Sequence, residues 1–390
     1  MVKPFRLART PQILFGSGTL TDLPAIVAGY GSSLVLVTGE KSFAASPQAG
    51  RLYEQLSTRG VKIHHVTISG EPSPAIIDEA VNRMKKSGIS LVVSIGGGSV
   101  MDAGKAISAM LTTDGSVTDY LEVVGEKEHP GTKVPFIAVP TTSGTGSEAT
   151  KNAVISQVGK NGFKRSLRHD NFVPDMALVD PDLTLNTPPE ITAAAGMDCF
   201  TQLTEAYLST KANEYTDALA LQGIMAIKRS LLRSYTHGDD IDARSDMSFA
   251  ALTSGICLAN AGLGAVHGLA GIIGALFDIP HGVVCGTLMA GANEESVREL
   301  RKSKNGEAAL QKYSILGRLF SDTAIKRDSY YVDFFLDYLR AITYLLELPG
   351  LSSYGLTSDD LPAITAQSDV KNNPVILDRN SMEEILTRRL

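Results

Sequence analysis

Cysteine is scarce in this chain of 390 residues, which contains only Cys199, Cys257 and Cys285. Three is an odd number and no two of them have CxxC spacing, so the cysteines suggest neither a disulfide framework nor a zinc site built from thiolates. We therefore expect three buried free thiols.

Long apolar runs are also lacking. No stretch approaches the roughly 18 uninterrupted apolar residues of a membrane helix. The N-terminal segment interrupts its apolar residues at Pro11, Gln12 and Gly16 before the core of a secretory signal can form. Because neither a span nor a signal is visible, we expect a soluble, cytoplasmic protein without a membrane partner.

Basic residues are not in excess. Lysine and arginine number 36 against 42 acidic residues, for a formal net charge of -6, and both signs are interspersed. Nucleic-acid binding needs clustered basic side chains, so we expect no nucleic-acid partner and favour a small-molecule substrate. Hydrophobic residues at 43% and charged residues at 20% are typical of an ordinary folded protein.

The first half of the chain alternates short β-branched runs with helical patterns. Several runs are apolar on both faces, as in parallel strands covered by helices. Residues 74–86 place apolar side chains on one helical stripe, so the pattern is that of βαβ units. The predicted strands are residues 33–38, 61–68, 91–95, 135–139 and 176–179.

After Asp180 the strand-like runs nearly vanish and helical patterns follow one another, for example over residues 215–235 and 246–276. Pro181, Pro188 and Pro189 mark the change. We predict an α/β dinucleotide-binding, Rossmann-like domain over residues 1–185 and an all-α domain over residues 186–390, which would hold metal and substrate.

A glycine turn follows the predicted strand at residues 91–95. Gly97, Gly98 and Ser99 stand between this strand and a helical pattern. Such a turn lets a pyrophosphate reach backbone N–H groups at a helix N-terminus. The turn is not GxGxxG, however, and many glycine turns after strands are only tight connections.

A second loop follows the strand at residues 135–139. It contains Thr141, Thr142 and Thr145 among five hydroxyl residues and two glycines. Hydroxyls suit contacts with phosphate, ribose or amide groups, although turn formation or helix capping would also explain them. Because open α/β sheets bind ligands at the carboxyl ends of their strands, the two loops together predict a cofactor site.

Two pairs of polar residues in the second half suggest a metal site. Asp198 and Gln202 are one helical turn apart, whereas His267 and His281 would lie about 21 Å apart on a straight helix. Pro280 supplies a break that would bring the imidazoles together. These donors suit Fe2+ or Zn2+. The alternative is a pair of core or capping histidines, and spacing does not decide between them.

Taken together, these segments resemble the iron-containing (group III) alcohol dehydrogenase family along nearly the whole chain. The resemblance implies a metal-dependent oxidoreductase that interconverts alcohols with aldehydes or ketones, using a nicotinamide cofactor. The similar segments are PQILFGSGTL, GGGSVMDAGKA, VPTTSGTGSEAT, MALVDPDLTL, AAGMDCFTQLTEAYLS, GAVHGLAGIIGALFDIPHG and NPVILDRNSMEEIL.

The resemblance also implies roles for single residues. The glycine turn would bind pyrophosphate, the threonine loop would contact the cofactor, and Lys164 would contact it as well. Asp198, His267 and His281 match three of the family's four metal ligands and would form the catalytic centre.

Two positions depart from the family pattern. The family commonly has a histidine where this chain has Gln202, a weaker amide ligand that would lower metal affinity and favour zinc over iron. Many members also have a second histidine where this chain has Gly271. A proton relay through that position is therefore unavailable, which leaves solvent or cofactor hydroxyls.

The end of the first predicted strand bears on cofactor choice. NAD-preferring members often carry an aspartate where this chain has Gly39, and that carboxylate would repel a 2′-phosphate. Lys41 and Ser42 are available to contact such a phosphate. We therefore expect NADP(H) to be favoured over NAD(H), while Glu40 keeps NAD(H) as an alternative.

Two other functions compete with the dehydrogenase. A lyase of the dehydroquinate synthase fold would need a basic cluster near the metal motifs, and none is visible. A metal-free nucleotide-binding protein descended from such enzymes is suggested only by Gln202 and Gly271. An exposed strand near the N-terminus would allow pairing between subunits, so we expect a homodimer.

Overall fold

The computed structural model describes residues 4–160, 162–368 and 370–390. Contacts divide the chain into two compact units. The first unit comprises Ala8–Gln157 and Gly162–Asn186. The second comprises Thr187–Leu390 with the short segments that include Leu7 and Val158.

The first unit is built around a parallel sheet of six strands in the order β1-β8-β5-β4-β2-β3, with a separate antiparallel pair, β6 and β7. Its strands are β1 (Gln12–Phe15), β2 (Ser33–Gly39), β3 (Lys62–Ile68), β4 (Leu91–Gly96), β5 (Phe136–Pro140), β6 (Asn152–Gln157), β7 (Phe163–Arg168) and β8 (Met176–Val179). Its helices are α1 (Leu23–Tyr30), α2 (Pro47–Thr58), α3 (Pro74–Met84) and α4 (Gly98–Met110).

The strands are apolar on both faces because helices cover the sheet on both sides. In β2, Leu34 and Leu36 belong to a core cluster shared with α1 and α2. Val35 and Val37 belong to another cluster, shared with α3 and α4. Successive strand side chains point to opposite faces, so an uninterrupted apolar run is what a strand in the middle layer requires.

The predicted strands and the helix that begins at Pro74 are all present, so the predicted α/β architecture is confirmed. Serine N-caps fix two of the helix starts. The Ser46 side chain accepts a hydrogen bond from Ala49 N, and the Ser73 side chain accepts one from Ile76 N. Each serine is followed by proline at the first helical position, where the missing N–H costs no hydrogen bond.

The second unit is helical, as predicted. One predicted helical stretch, residues 246–276, is instead two helices bent by 100°. The chain turns at Gly262, whose φ of 67° is costly for other residues. The helices are α5 (Pro189–Leu208), α6 (Glu214–Thr236), α7 (Ile241–Ala261), α8 (Ala265–Leu276), α9 (His281–Lys302), α10 (Glu307–Phe320), α11 (Asp328–Leu345), α12 (Leu361–Gln367) and α13 (Arg379–Thr387).

Helix α5 lies at the centre of this unit. Its residues are buried without interruption from Gly196 to Leu208, so it is covered on all sides. Within the described residues, no single helix has the length and apolar character needed to cross a membrane. The bent pair α7 and α8 passes that test jointly, by length and composition alone.

Candidate metal centre and cofactor loops

Asp198 projects from the buried stretch of α5 and is 1% exposed. A carboxylate in such surroundings is costly unless charged or hydrogen-bonding groups compensate it. Burial by itself would raise the pKa of Asp198, but the hydrogen bond to His267 and the charges of His281 and His267 outweigh burial and lower it. The site therefore favours an ionised carboxylate.

The turn between α8 and α9 brings the two predicted histidines together. Helix α8 ends at Leu276, Pro280 precedes α9, and His281 is the first residue of α9. The ring centroids of His267 and His281 are 5.5 Å apart, compared with about 21 Å on a straight helix. Asp198 Oδ1 lies 3.3 Å from His267 Nε2 and 4.0 Å from His281 Nε2.

Glu205, to which no sequence motif pointed, orients His267. His267 Nδ1 is 2.7 Å from Glu205 Oε2, and Glu205 Oε1 accepts a hydrogen bond of 2.7 Å from Val266 N. A proton on Nδ1 directs the other ring nitrogen towards Asp198. The sequence does contain a signal for Glu205, because this residue lies two helical turns after Asp198 and therefore on the same face of α5.

Several neighbouring side chains act on the His267 imidazole. Burial by itself would lower the pKa of His267, but the neighbouring Cys285, Asp198 and Glu205 side chains raise it well above its usual value. Without a metal, the His267 imidazole therefore favours the protonated, positively charged form. A bound metal ion would displace this proton and supply the positive charge beside Asp198.

Gln202, predicted as a weaker ligand, lies beside the cluster. Its amide nitrogen donates to Asp198 Oδ1 over 3.4 Å, and its amide oxygen accepts a hydrogen bond of 3.1 Å from Ser254 Oγ. The oxygen that would bind a metal is thus turned towards Ser254. Metal binding by Gln202 stays a prediction.

Cys285, also not identified from the sequence, completes a group of four possible metal ligands. One atom each from Asp198, His267, His281 and Cys285 lies within 4.8 Å of the others. All three cysteines are buried and none forms a disulfide, as expected, but the search for CxxC spacing missed Cys285. The usable signal is its distance of four residues from His281, which is one helical turn. Burial raises the pKa of this thiol to about 12.

The glycine turn lies between β4 and α4, as predicted. Gly97 is the N-cap of α4, and no side chain caps this helix end. A Cβ atom added to Gly98 would lie 2.7 Å from Thr145 Cγ2, and one added to Gly97 would lie 3.3 Å from Thr142 Oγ1. The turn therefore leaves open backbone N–H groups at the start of α4, which begins with Gly98 and Ser99.

The same distances show that the two predicted cofactor loops lie against each other. Strands β4 and β5 are parallel neighbours, so their carboxyl ends meet at one edge of the sheet. Thr141 N donates a hydrogen bond of 2.9 Å to Gly96 O, which ties the second loop to the first. Thr142 and Thr145 face the glycine turn.

The remaining predicted cofactor residues belong to the same unit. Gly39 ends β2, next to β4, and a Cβ atom added there would lie 3.8 Å from Val100 in α4. Lys41 and Ser42 follow it and are exposed. Lys164 lies on β7, where its ammonium is 3.1 Å from Glu71 Oε2.

Comparison with known proteins identifies the family. The model of iron-containing alcohol dehydrogenases matches residues 10–181, and the model of the family's C-terminal domain matches residues 192–390. The chain is 35% identical to alcohol dehydrogenase 4 of Saccharomyces cerevisiae over 303 residues, which cover 77% of this chain and 78% of the yeast protein. It is 28% identical to sulfoacetaldehyde reductase of Bilophila wadsworthia over 388 residues, 96% of each chain.

Solved structures agree with these matches. Sulfoacetaldehyde reductase from Bifidobacterium kashiwanohense, solved in complex with NAD+, superimposes with a TM-score of 0.85 at 26% identity over 99% of both chains. An archaeal alcohol dehydrogenase from a Red Sea brine pool gives a TM-score of 0.89 at 27% identity over 100% of both chains. These matches support neither the lyase nor the metal-free alternative. The chain belongs to the iron-containing alcohol dehydrogenase family and is an oxidoreductase of the alcohol dehydrogenase and aldehyde reductase type.

Proposed function

We propose that the protein interconverts a small alcohol and its aldehyde or ketone by hydride transfer with a nicotinamide cofactor, assisted by Fe2+ or Zn2+. The observation that carries this proposal is the convergence of Asp198, His267 and His281 within 4.8 Å of one another. One carboxylate and two imidazoles, brought together from three helices, suit a divalent metal.

When bound, the metal supplies Lewis-acid polarisation of the substrate oxygen. The chain's own contribution is to hold the ligands in place. Glu205 holds the Nδ1 proton of His267, so that Nε2 stays directed towards Asp198. Asp198 in turn stays ionised because its surroundings lower its pKa.

The proposed reaction moves one hydride and one proton. In the oxidative direction, the carbinol carbon gives a hydride to the nicotinamide ring and the hydroxyl proton leaves to solvent. Gly271 has no side chain that could relay this proton, and a Cβ atom added there would meet nothing within 4 Å. In the reductive direction, the hydride returns to the carbonyl carbon and the proton to the carbonyl oxygen.

The cofactor phosphates are proposed to bind at the N-terminus of α4. Two features support this site: the uncapped helix end at Gly97 and the threonine loop packed against it. The NAD+ bound to the Bifidobacterium relative supports a nicotinamide cofactor. We propose that NADP(H) is favoured over NAD(H), because Gly39 provides no carboxylate and exposed Lys41 and Ser42 follow it.

We further propose a cytoplasmic homodimer. Strand β1 is at one edge of the sheet, and Ile13 and Phe15 on it are 40% and 36% exposed. An edge strand with exposed apolar side chains is suited to pairing with a second copy.

The proposal is tested on freshly purified full-length protein. Metal content is measured by mass spectrometry, and NADPH and NADH oxidation are followed against a panel of small aldehydes. About one equivalent of iron or zinc per chain, with turnover lost on chelation and restored by the metal, is the expected result. Protein that binds no added iron or zinc and turns over no aldehyde would overturn the proposal.

A further inference from the structure

The family-type ligand set is incomplete at Gln202, yet a thiol stands close by. Cys285 Sγ lies 3.6 Å from His267 Nε2 and 3.6 Å from His281 Nε2. It projects from α9 one turn after His281, and both residues thus reach the cluster from the same helix.

Three of the four distances from Cys285 Sγ and Asp198 Oδ1 to the imidazole nitrogens match those between ligands of one tetrahedral ion, and the fourth, from Asp198 Oδ1 to His281 Nε2, is longer. Zinc bonds of about 2.3 Å to sulfur and about 2.0–2.1 Å to nitrogen and oxygen place tetrahedral ligands about 3.5 Å apart for N and S and about 3.3 Å apart for N and O. The two distances from Cys285 Sγ to the imidazole nitrogens are 3.6 Å. The two distances from Asp198 Oδ1 to these nitrogens are 3.3 and 4.0 Å.

Gln202 is engaged elsewhere. Its amide oxygen faces the Ser254 hydroxyl at 3.1 Å, a hydroxyl that also lies 2.8 Å from Ala251 O, and its amide nitrogen donates to Asp198. In this arrangement Gln202 orients the carboxylate, and a thiolate is the donor left to replace the missing imidazole.

We propose that Cys285 is the fourth protein ligand of the metal centre, where it binds as a thiolate and shifts the preference of the site from iron(II) towards zinc. The inference rests on the proposed function, because it requires a metal at Asp198, His267 and His281. With four protein ligands, the substrate oxygen would enter as a fifth ligand, since four-coordinate zinc can expand to five. On binding, the thiol proton is released to solvent and a metal–sulfur bond forms. Soft thiolate donors favour zinc over the harder iron(II) ion.

Cobalt(II) provides a test that does not depend on activity. Metal-free full-length protein is titrated with cobalt(II), and thiolate-to-cobalt charge transfer is sought in the near-ultraviolet spectrum. The same titration is run on C285S, on H267A and on C257S. Cys257 is a matched control because it is also buried and free, but its Sγ lies 3.7 Å from Thr216 O.

We expect one equivalent of cobalt and a charge-transfer band in the wild type and in C257S. C285S should lose the band. Its zinc affinity, measured by competition with a chelator, should fall at least about tenfold. Loss of a group that only supports a ligand already costs about this much, and loss of a ligand should cost no less. The iron(II) affinity of C285S should fall less. H267A should lose the band as well, and this loss would assign the charge-transfer band to a metal bound at this cluster.

Two results would overturn the inference, and they differ in what they say of the proposed function. One equivalent of cobalt bound by the wild type without a charge-transfer band would exclude Cys285 as a ligand and leave the metal centre intact. Failure of the wild type to bind cobalt, zinc or iron would overturn both proposals. The wild-type spectrum decides even if circular dichroism shows that C285S is misfolded.

Discussion

Glu205 Oε2 lies 2.7 Å from His267 Nδ1, so one glutamate of α5 supports the imidazole that faces Asp198 from the same helix. The other oxygen of Glu205 accepts a hydrogen bond from Val266 N, next to His267. Helix α5 thus contributes both the carboxylate of the candidate metal centre and the group that orients its neighbour.

Replacing Glu205 with glutamine should weaken metal binding. The amide still fits the site but removes the negative charge that keeps the proton on Nδ1, and loss of such supporting groups costs about 10-fold to 100-fold in metal affinity. Chelator competition with zinc measures the effect. Glu190→Gln, at the exposed start of α5, is the control. Equal affinities in the two variants would show that Glu205 does not support the site.

His267→Ala should abolish turnover while leaving most cofactor binding intact. His267 belongs to the metal cluster in the helical unit, whereas the proposed cofactor loops belong to the α/β unit. Turnover is measured by NADPH oxidation, and cofactor binding by NADPH fluorescence. Wild-type activity in this variant would remove His267 from the catalytic centre.

Gly98→Ala should weaken cofactor binding by at least about tenfold, or about 1.4 kcal/mol. The added methyl group would lie 2.7 Å from Thr145 Cγ2 and force apart the two loops proposed to bind the phosphates. Gly50→Ala is the control, because a Cβ atom there meets nothing within 4 Å. That control should stabilise α2 by about 0.5–1 kcal/mol. Unchanged NADPH affinity in Gly98→Ala would place the phosphates elsewhere.

Gly39→Asp should shift the cofactor preference from NADPH towards NADH. A Cβ atom at this position meets only Val100, at 3.8 Å, so the backbone need not move. The carboxylate would accept ribose hydroxyls and repel a 2′-phosphate. We expect the ratio of kcat/KM for NADPH to that for NADH to fall at least about tenfold, or about 1.4 kcal/mol.

Glu40→Gln provides the comparison for this cofactor test, because Glu40 is the neighbouring carboxylate. If Glu40→Gln impairs NADH use and Gly39→Asp changes nothing, the proposed preference is wrong.

Glu148 should make the folded protein less stable as pH rises through the acidic range. Burial raises its pKa to about 7 from 4.5, so between these values the folded state binds more protons than the unfolded state. The free energy of unfolding therefore falls as pH rises through this window. Thermal unfolding of wild type and Glu148→Gln at several pH values measures the slope.

The expected result is a shallower fall in Glu148→Gln than in the wild type. Glu126→Gln, on an exposed loop, should follow the wild type. Lys105, buried near Glu148, acts in a separate window: burial lowers its pKa to about 8 from 10.5, so its contribution to stability rises with pH there. If the stability of the wild type and of Glu148→Gln changes with pH at the same slope, Glu148 is not the cause of the pH dependence.

Periodicity predicted five of the six strands of the main sheet, including the edge strand β3, but missed the antiparallel pair β6 and β7. Strands β2, β4 and β5 are buried on both faces, so their apolar runs are visible in the sequence. Strand β1 has only four residues, none of them fully buried, and β7 reads FKRSLR with only one buried side chain. Strand β1 was expected only as an exposed strand near the N-terminus, without bounds, and a polar strand such as β7 carries no apolar pattern that would reveal it.

The sequence by itself determined the strand-and-helix order, the two cofactor loops and the turn at Pro280, because each depends on residues close together in the chain. Only the tertiary structure decided which side chains meet. Glu205 and Cys285 join His267 from positions 62 and 18 residues away, through the packing of three helices. A local pattern does not specify such packing, since the distance between helices depends on all the side chains buried between them.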